Sequence, residues 1–214
     1  MEPVVKGRRY DGTNRRRQAA QTQLRILHAA QRLFLRDGYA ATTIAAIADE
    51  ADVAVQTVYA STKSKREILM RILDLAVSGE EDQVAVQASA RWREIQTEPD
   101  PRARLDLFVR LHGEICLREA PAFAVMVEAA GSDLEIRALQ RETAERRYED
   151  QYHLAALFQR DGCLRRGMST RRAADIIWTL ASERTYLALV CDRGWTTSDY
   201  GHWLKEQLVA ALLN

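Results

Sequence analysis

The side chains with the most chemistry to offer lie between Thr42 and Lys65, in the run TTIAAIADEADVAVQTVYASTKSK. Gln56, Thr57, Tyr59 and Ser61 are hydrogen-bonding residues of moderate reach, suited to base edges and phosphate oxygens. The Gln56 amide matches adenine N6 and N7, Val55 and Ala54 can touch a thymine methyl, and Tyr59 and Thr57 can fix register on the sugar-phosphate backbone. Lys63 and Lys65 follow as cations. Ser64-Lys65-Arg66-Glu67 reads as a capping box, and a phosphate at that helix start would offset the poor placement of cations there. A second constellation is His112 and Cys116, four apart on one helix face. Without a third or fourth ligand at useful spacing, they read as a buried or half-exposed pair rather than a metal site. No G-x-S-x-G, H-E-x-x-H, Walker loop or G-x-G-x-x-G occurs, so the expectation is no catalytic residues, no metal and no cofactor.

Two short helices must position the first group. Ile44, Ile47, Ala48 and Ala51 recur at i, i+3, i+4 and i+7, one apolar stripe, with Thr42 and Thr43 ready to cap its start. Val53 is apolar beyond the turn at Asp52, and a second helix runs from about Val55 to Ser61. The pattern is a helix-turn-helix. Neither helix is long enough to stand alone, so a first helix, Gln18 to Arg36, must hold them through Ile26, Ala30, Leu33 and Phe34 before Asp37-Gly38 ends it.

The run TTIAAIADEADVAVQTVYASTKSKREIL resembles the DNA-binding segment of TetR-family transcriptional regulators. Thr-Thr, the Ile-Ala pair, the valine after the turn, Thr-x-Tyr on the recognition helix and the lysine opening the next helix carry the likeness. It extends back through Phe34, Gly38 and Tyr39. Three positions depart from the usual pattern: Asp52 for a glycine, Ala54 for a capping serine, and Thr62 for an aromatic. Asp52 in a left-handed turn should cost about 1 kcal/mol against glycine, and the missing cap roughly another 1 kcal/mol. The resemblance implies a homodimeric, repressing regulator of a double-stranded DNA operator, responsive to a small-molecule effector.

Composition agrees. The 214 residues carry a net charge of only +1, but the charge is unevenly placed. Lys6, Arg8, Arg9, Arg15, Arg16, Arg17, Arg25, Arg32 and Arg36 face only Glu2 and Asp11 in the first 36 residues, a positive field confined to the helix-turn-helix end. Residues 1–17 read as a flexible basic arm, with Gly7, Gly12 and Asn14 discouraging helix. Three scattered cysteines fit a reducing cytoplasm, and no leader or membrane span is visible. The expected location is bacterial cytoplasm, on the nucleoid.

Sparse proline and glycine make the expected fold all-α: a three-helix head, a fourth connecting helix and a helical body, about nine helices in total. The divisions are 1–17 for the arm, 18–63 for the DNA-binding head, 64–78 for the connecting helix and 79–214 for the ligand-binding and dimerisation body. Gly79 to Ala90 reads as a connection, and Glu98 to Pro101 as another loop. In the body, Arg102 to Glu119 reads as one helix with Leu107, Leu111, Ile115 and Phe108 inward, and Pro121 starts the next, to Ala130. Ser132 to Glu135 reads as a second capping box, opening a helix to Arg160. Ser169 or Thr170 caps a helix to Arg193-Gly194, and the last helix spans Thr197 to Leu213.

The candidate DNA contacts are therefore Arg15, Arg16, Arg17, Thr43, Val55, Gln56, Thr57, Tyr59, Ser61, Lys63 and Lys65. The family resemblance implies an effector pocket, for which Phe108, His112, Phe123, Met126, Tyr152, Trp178, Glu183 and Tyr186 are candidates. It also implies a four-helix dimer interface from the last two helices, through Trp178, Leu187, Tyr200, Trp203, Leu204 and Leu208. The charged run Arg141, Glu142, Glu145, Arg146 and Arg147 reads as a solvated face. The alternative is a helical small-molecule-binding protein or enzyme whose helix-turn-helix is not used for DNA.

Overall fold

The first helix begins earlier than glycine and asparagine suggest. In the computed structural model, which describes residues 12–79 and 86–213, α1 spans Gly12–Asp37. Arg15, Arg16 and Arg17 are therefore helical and exposed, not part of a flexible arm. Residues 1–11 of that arm lie outside the described residues. Local propensity is a weak prior, and two unfavourable residues in the first turn do not stop a helix with two dozen more to follow.

Helices α2 (Ile44–Glu50), α3 (Val55–Ser61) and α4 (Lys65–Ser78) complete the head. Ile26, Ala30 and Phe34 of α1 pack with Ile47, Ala48 and Val58 of the two short helices and with Ile68, Leu69 and Ile72 of α4. This shared burial supplies the stability that seven-residue helices lack. The same core continues into the body through Ala122, Phe123, Met126, Ile136 and Leu139.

The body begins with α5 (Ala90–Thr97), a helix not read from the sequence because Trp92 and Ile95 are its only buried residues. Next is α6 (Pro101–Ala129), one unbroken helix with Pro121 inside it. The expected break at Pro121 does not occur: Ala122, Phe123 and Met126 bury against the head, and that packing outweighs the one backbone hydrogen bond that proline removes. The inward face of α6 is Leu105, Phe108, Val109, His112 and Cys116, with Leu107, Leu111 and Ile115 only half-buried.

Helix α7 (Leu134–Arg160) is capped by Asp133, which accepts from Glu135 N and Ile136 N, so the box expected at Ser132 is displaced by one residue. The long helix expected from Thr170 is interrupted. Helix α8 (Thr170–Leu180) stops at Ala181, Ser182 caps a new turn, α9 (Glu183–Tyr186), and a π-helical stretch follows over Leu187–Asp192. Ser182 Oγ accepts from Thr185 N at 3.1 Å, a local bond that competes with continuing the helix. Helix α10 (Thr197–Leu212) closes the fold with a capping box between Thr196 and Asp199.

A second core joins Leu105 and Cys116 of α6, Leu154 and Phe158 of α7, Ile177 of α8, and Tyr200, Leu204 and Leu208 of α10. Among the described residues there is no strand beyond the single bridge between Leu164 and Leu213. Nor is any described helix long and apolar enough to cross a membrane.

Candidate nucleic-acid interface and body cavity

The turn between α2 and α3 carries Asp52 at φ 52°, the left-handed region expected for it. Ala54 starts α3 without a side-chain cap. On α3, Val55 (40 % exposed), Gln56 and Tyr59 (54 %) face outward, while Val58 is buried against α1 and α4. One short helix thus presents an amide, a phenol and a methyl-bearing surface on the side away from the core. Thr57 and Ser61 are half-buried on the same helix, and Lys63 is exposed just beyond it.

Two candidates have other work. Thr43 accepts from Ala46 N at 3.1 Å, so its hydroxyl caps α2. Lys65 Nζ donates to the carbonyls of Tyr39, Thr42 and Ala40 at 2.6, 3.0 and 3.2 Å, and sits 4.4 Å from the centroid of the Tyr39 ring. An ammonium has three N–H donors, and all are used. In this arrangement Lys65 ties the loop before α2 to the start of α4 and keeps no N–H for the phosphate contact expected of it. Thr42 and Thr62 finish the clamp by donating to Gly38 O and Val58 O at 2.8 and 3.1 Å. The capping box at α4 is also shifted. Ser64 accepts from Glu67 N, but the Glu67 carboxylate reaches Lys63 N at 2.8 Å instead of Ser64 N.

The body holds a cavity of about 570 Å³ between α4, α5, α6 and α7. Leu73, Val77, Trp92, Phe108, Leu111 and Ile115 give it apolar walls. Phe108, His112 and Glu183 of the pocket candidates line it. The others do not. Phe123 and Met126 belong to the head core, and Tyr186 packs edge-on against Tyr200 in the second core. Tyr152 is exposed on α7, and Trp178 lies beneath the guanidinium of Arg147, 4.8 Å from its ring centroid.

Apart from His112 and Glu183, the polar residues of the cavity are the ones that sequence reading missed. Arg147 is no part of a solvated face. It pairs with Glu183 at 3.3 Å and donates to Trp178 O and Ala181 O. Arg146 reaches Asp74 on α4 at 3.1 Å, and Arg66 grips Glu142 through two bonds of 2.9 and 2.7 Å. Glu119, 3 % exposed, lines the cavity with no hydrogen bond or ion pair among the described residues. Burial, reinforced by nearby Glu183, pushes its carboxyl up to about 8. Gln151 and Thr143 line the same wall with Oε1 and Oγ1 buried and unpartnered. A signal was present. Glu119 follows His112 and Ile115 at stripe spacing, and Gln151 precedes Leu154 and Phe158 in the same way, each a polar residue where the period calls for an apolar one.

His112 is held neutral, burial carrying it down to about 3. Its Nε2 lies 3.1 Å from Tyr200 Oη and 3.4 Å from Cys116 Sγ. Of the six expected interface residues, Tyr200, Leu204 and Leu208 are fully buried within this chain and form its own core. Their apolar period served α6, α7 and α8 instead. Trp178, Leu187 and Trp203 remain half-buried.

Helix α4 connects the two sites. Its first residue, Lys65, holds the loop before α2, Arg66 ties the same end to Glu142 on α7, and its last turns, Leu73, Asp74, Val77 and Ser78, form a cavity wall.

Known proteins bear on this arrangement. No curated protein matches the chain. Solved structures that cover nearly all of it share its fold. A putative transcriptional regulator from Saccharomonospora viridis in complex with choline is 22 % identical over 91 % of this chain and 98 % of its own, at a TM-score of 0.66. NalD of Pseudomonas aeruginosa, the secondary repressor of the MexAB-OprM multidrug efflux pump, is 20 % identical over 91 % and 97 %, at 0.70. The transcriptional regulator FadR from Bacillus subtilis in complex with stearoyl-CoA is 19 % identical over 87 % and 97 %, at 0.68. Residues 26–72, spanning α1, the helix-turn-helix and most of α4, match the family model of bacterial regulatory proteins, tetR family. The head therefore matches the DNA-binding segment of the tetR family of bacterial regulatory proteins, and it is set on a body that shares its fold with these solved structures.

Proposed function

We propose that this protein is a homodimeric, ligand-responsive repressor in which 18–63 read DNA, 64–78 transmit, and 79–214 bind an effector and a second copy. The observation that carries the reading is the reach of α4, from the clamp under the recognition helix to the wall of the cavity. A molecule that fills the cavity bears on Leu73 and Asp74, and any shift of α4 is delivered to Lys65 and thus to α3. Such a ligand acts only as far as it binds the two states unequally.

On DNA, Gln56 and Val55 read base edges, Tyr59 and Thr57 set register, and Ser61, Lys63 and Arg15 to Arg17 supply phosphate contacts. Two such heads spaced about 34 Å apart meet successive major grooves, which requires a dimer. Its surface is provided by half-buried apolar residues of α8 and α10, such as Ile176, Leu180 and Trp203. The relatives solved with choline and with stearoyl-CoA support a small-molecule effector, and NalD supports repression. Regulators that are generally not enzymes are likewise the setting in which the absence of catalytic motifs makes sense.

The test is fluorescence anisotropy of the purified protein on DNA from upstream of its own gene, at two salt concentrations and against random duplex. Tight, salt-sensitive and sequence-selective binding is expected, with two protomers per site. Binding indifferent to sequence across a genome-wide selection of fragments would remove the DNA-reading role.

A further inference from the structure

We infer that the body cavity is a site for a lipophilic organic cation, with the Glu119 carboxylate as its counter-ion and the oxygens of Gln151 and Thr143 turned toward the same charge. This rests on the ligand-responsive reading above and names the class of ligand. The argument is one of unmatched groups. Both arginines on the cavity wall are committed, Arg146 to Asp74 and Arg147 to Glu183. His112 is neutral and occupied with Tyr200. Gln151 spends its Nε2 on Ala181 O, so Oε1 is what it has left, and Thr143 Oγ1 can accept as well. The cavity therefore keeps one buried carboxyl and two acceptor oxygens without partners, and no uncommitted cation among the described residues. An anionic ligand would find no uncommitted cation among the described residues, would hold Glu119 in its neutral form and would leave the Gln151 acceptor unmatched, at a cost that burial magnifies. A cation supplies what each of the three lacks. Trp92 and Phe108 add aromatic surface, which attracts organic cations beyond their apolar contact. The volume of about 570 Å³ suits a molecule of drug size.

Binding is linked to a proton. In the empty cavity Glu119 is largely protonated at neutral pH, since burial and Glu183 raise it while Arg147 on α7 lowers it; Asp74 on α4 raises it further and Arg146 opposes that. A cation beside it favours the carboxylate, so the proton leaves as the ligand enters, and affinity rises from pH 6 to pH 8.

The experiment uses two ions of nearly the same shape and opposite charge, tetraphenylphosphonium and tetraphenylborate, in isothermal titration with the full chain. The phosphonium is expected to bind at least tenfold more tightly than the borate. Glu119→Gln, which mimics the protonated carboxyl and leaves the packing intact, should weaken the phosphonium at least tenfold. At pH 7, titration in buffers of different ionisation enthalpy should show close to one proton released by the native protein and none by the variant. Equal or tighter borate binding, failure of the phosphonium to bind, or a phosphonium affinity unchanged in the variant would each overturn the inference. The DNA assay separates it from the regulator reading. Phosphonium binding without DNA release removes the coupling but keeps the cation site. Selective DNA binding by a protein that ignores the phosphonium does the reverse.

Discussion

Head and body treat their buried polar groups in opposite ways. In the head, Thr42 and Thr62 each close on one carbonyl and Lys65 on three, while Gln56 and Tyr59 are left on the surface of α3. In the body, Glu119, Gln151 and Thr143 are buried around a cavity with bonding capacity unspent. Satisfied buried groups make a unit with one conformation, and unsatisfied ones store a cost that a ligand can relieve. A reader of DNA needs the first property, because its side chains must arrive at fixed positions. A sensor needs the second.

The largest test of this contrast is Glu119→Gln measured by denaturation across pH. With its carboxyl at about 8 in the fold against an ordinary value of 4.5, the native residue holds a proton that the unfolded chain gives up. Its stabilising neutral form is fully present below about pH 4.5, and that contribution is lost as pH rises to about 8. Glutamine cannot ionise, so the variant should gain on the native protein over that window, by on the order of 4 kcal/mol at pH 8. A gap that stays constant with pH would mean that Glu119 is already matched.

Next is Lys65→Met, which should lower head stability by about 2 kcal/mol through three lost carbonyl bonds. DNA affinity should fall with it, but the slope of log affinity against log salt should stay as it was. If Lys65 instead neutralised a phosphate on DNA, the slope would drop by about 0.9. Gln56→Ala changes no contact inside the head, so its melting temperature should not move. It should relax selectivity at one base pair by about 1–2 kcal/mol in competition against single-substituted operators. The smallest effect is expected for Asp52→Gly, which removes left-handed strain at φ 52° and should add up to about 1 kcal/mol of stability without altering operator choice. A loss of stability there would show that the Asp52 side chain contributes more than its backbone costs.

Much of the head was legible because its signals are local. The stripe Ile44, Ile47, Ala48 and Ala51, the left-handed Asp52 and the uncapped Ala54 each depend on residues within a turn or two. The errors in the body have the same root seen from the other side. Pro121 reads as a helix start until Phe123 and Met126 are known to bury against the head. Tyr200, Leu204 and Leu208 read as an interface because a period announces a buried face and says nothing of what buries it.

The sequence alone determined an all-helical chain, a helix-turn-helix near its start and the side chains that α3 turns outward, since period, capping and turn chemistry act between near neighbours. Only the tertiary structure decided that Lys65 grips a loop 26 residues earlier, that Arg147 pairs with Glu183, and that Glu119 sits at the wall of a cavity with no ion pair among the described residues. Those outcomes depend on how whole helices pack, and a charged residue looks the same in sequence whether its partner is a carbonyl, a carboxylate or water.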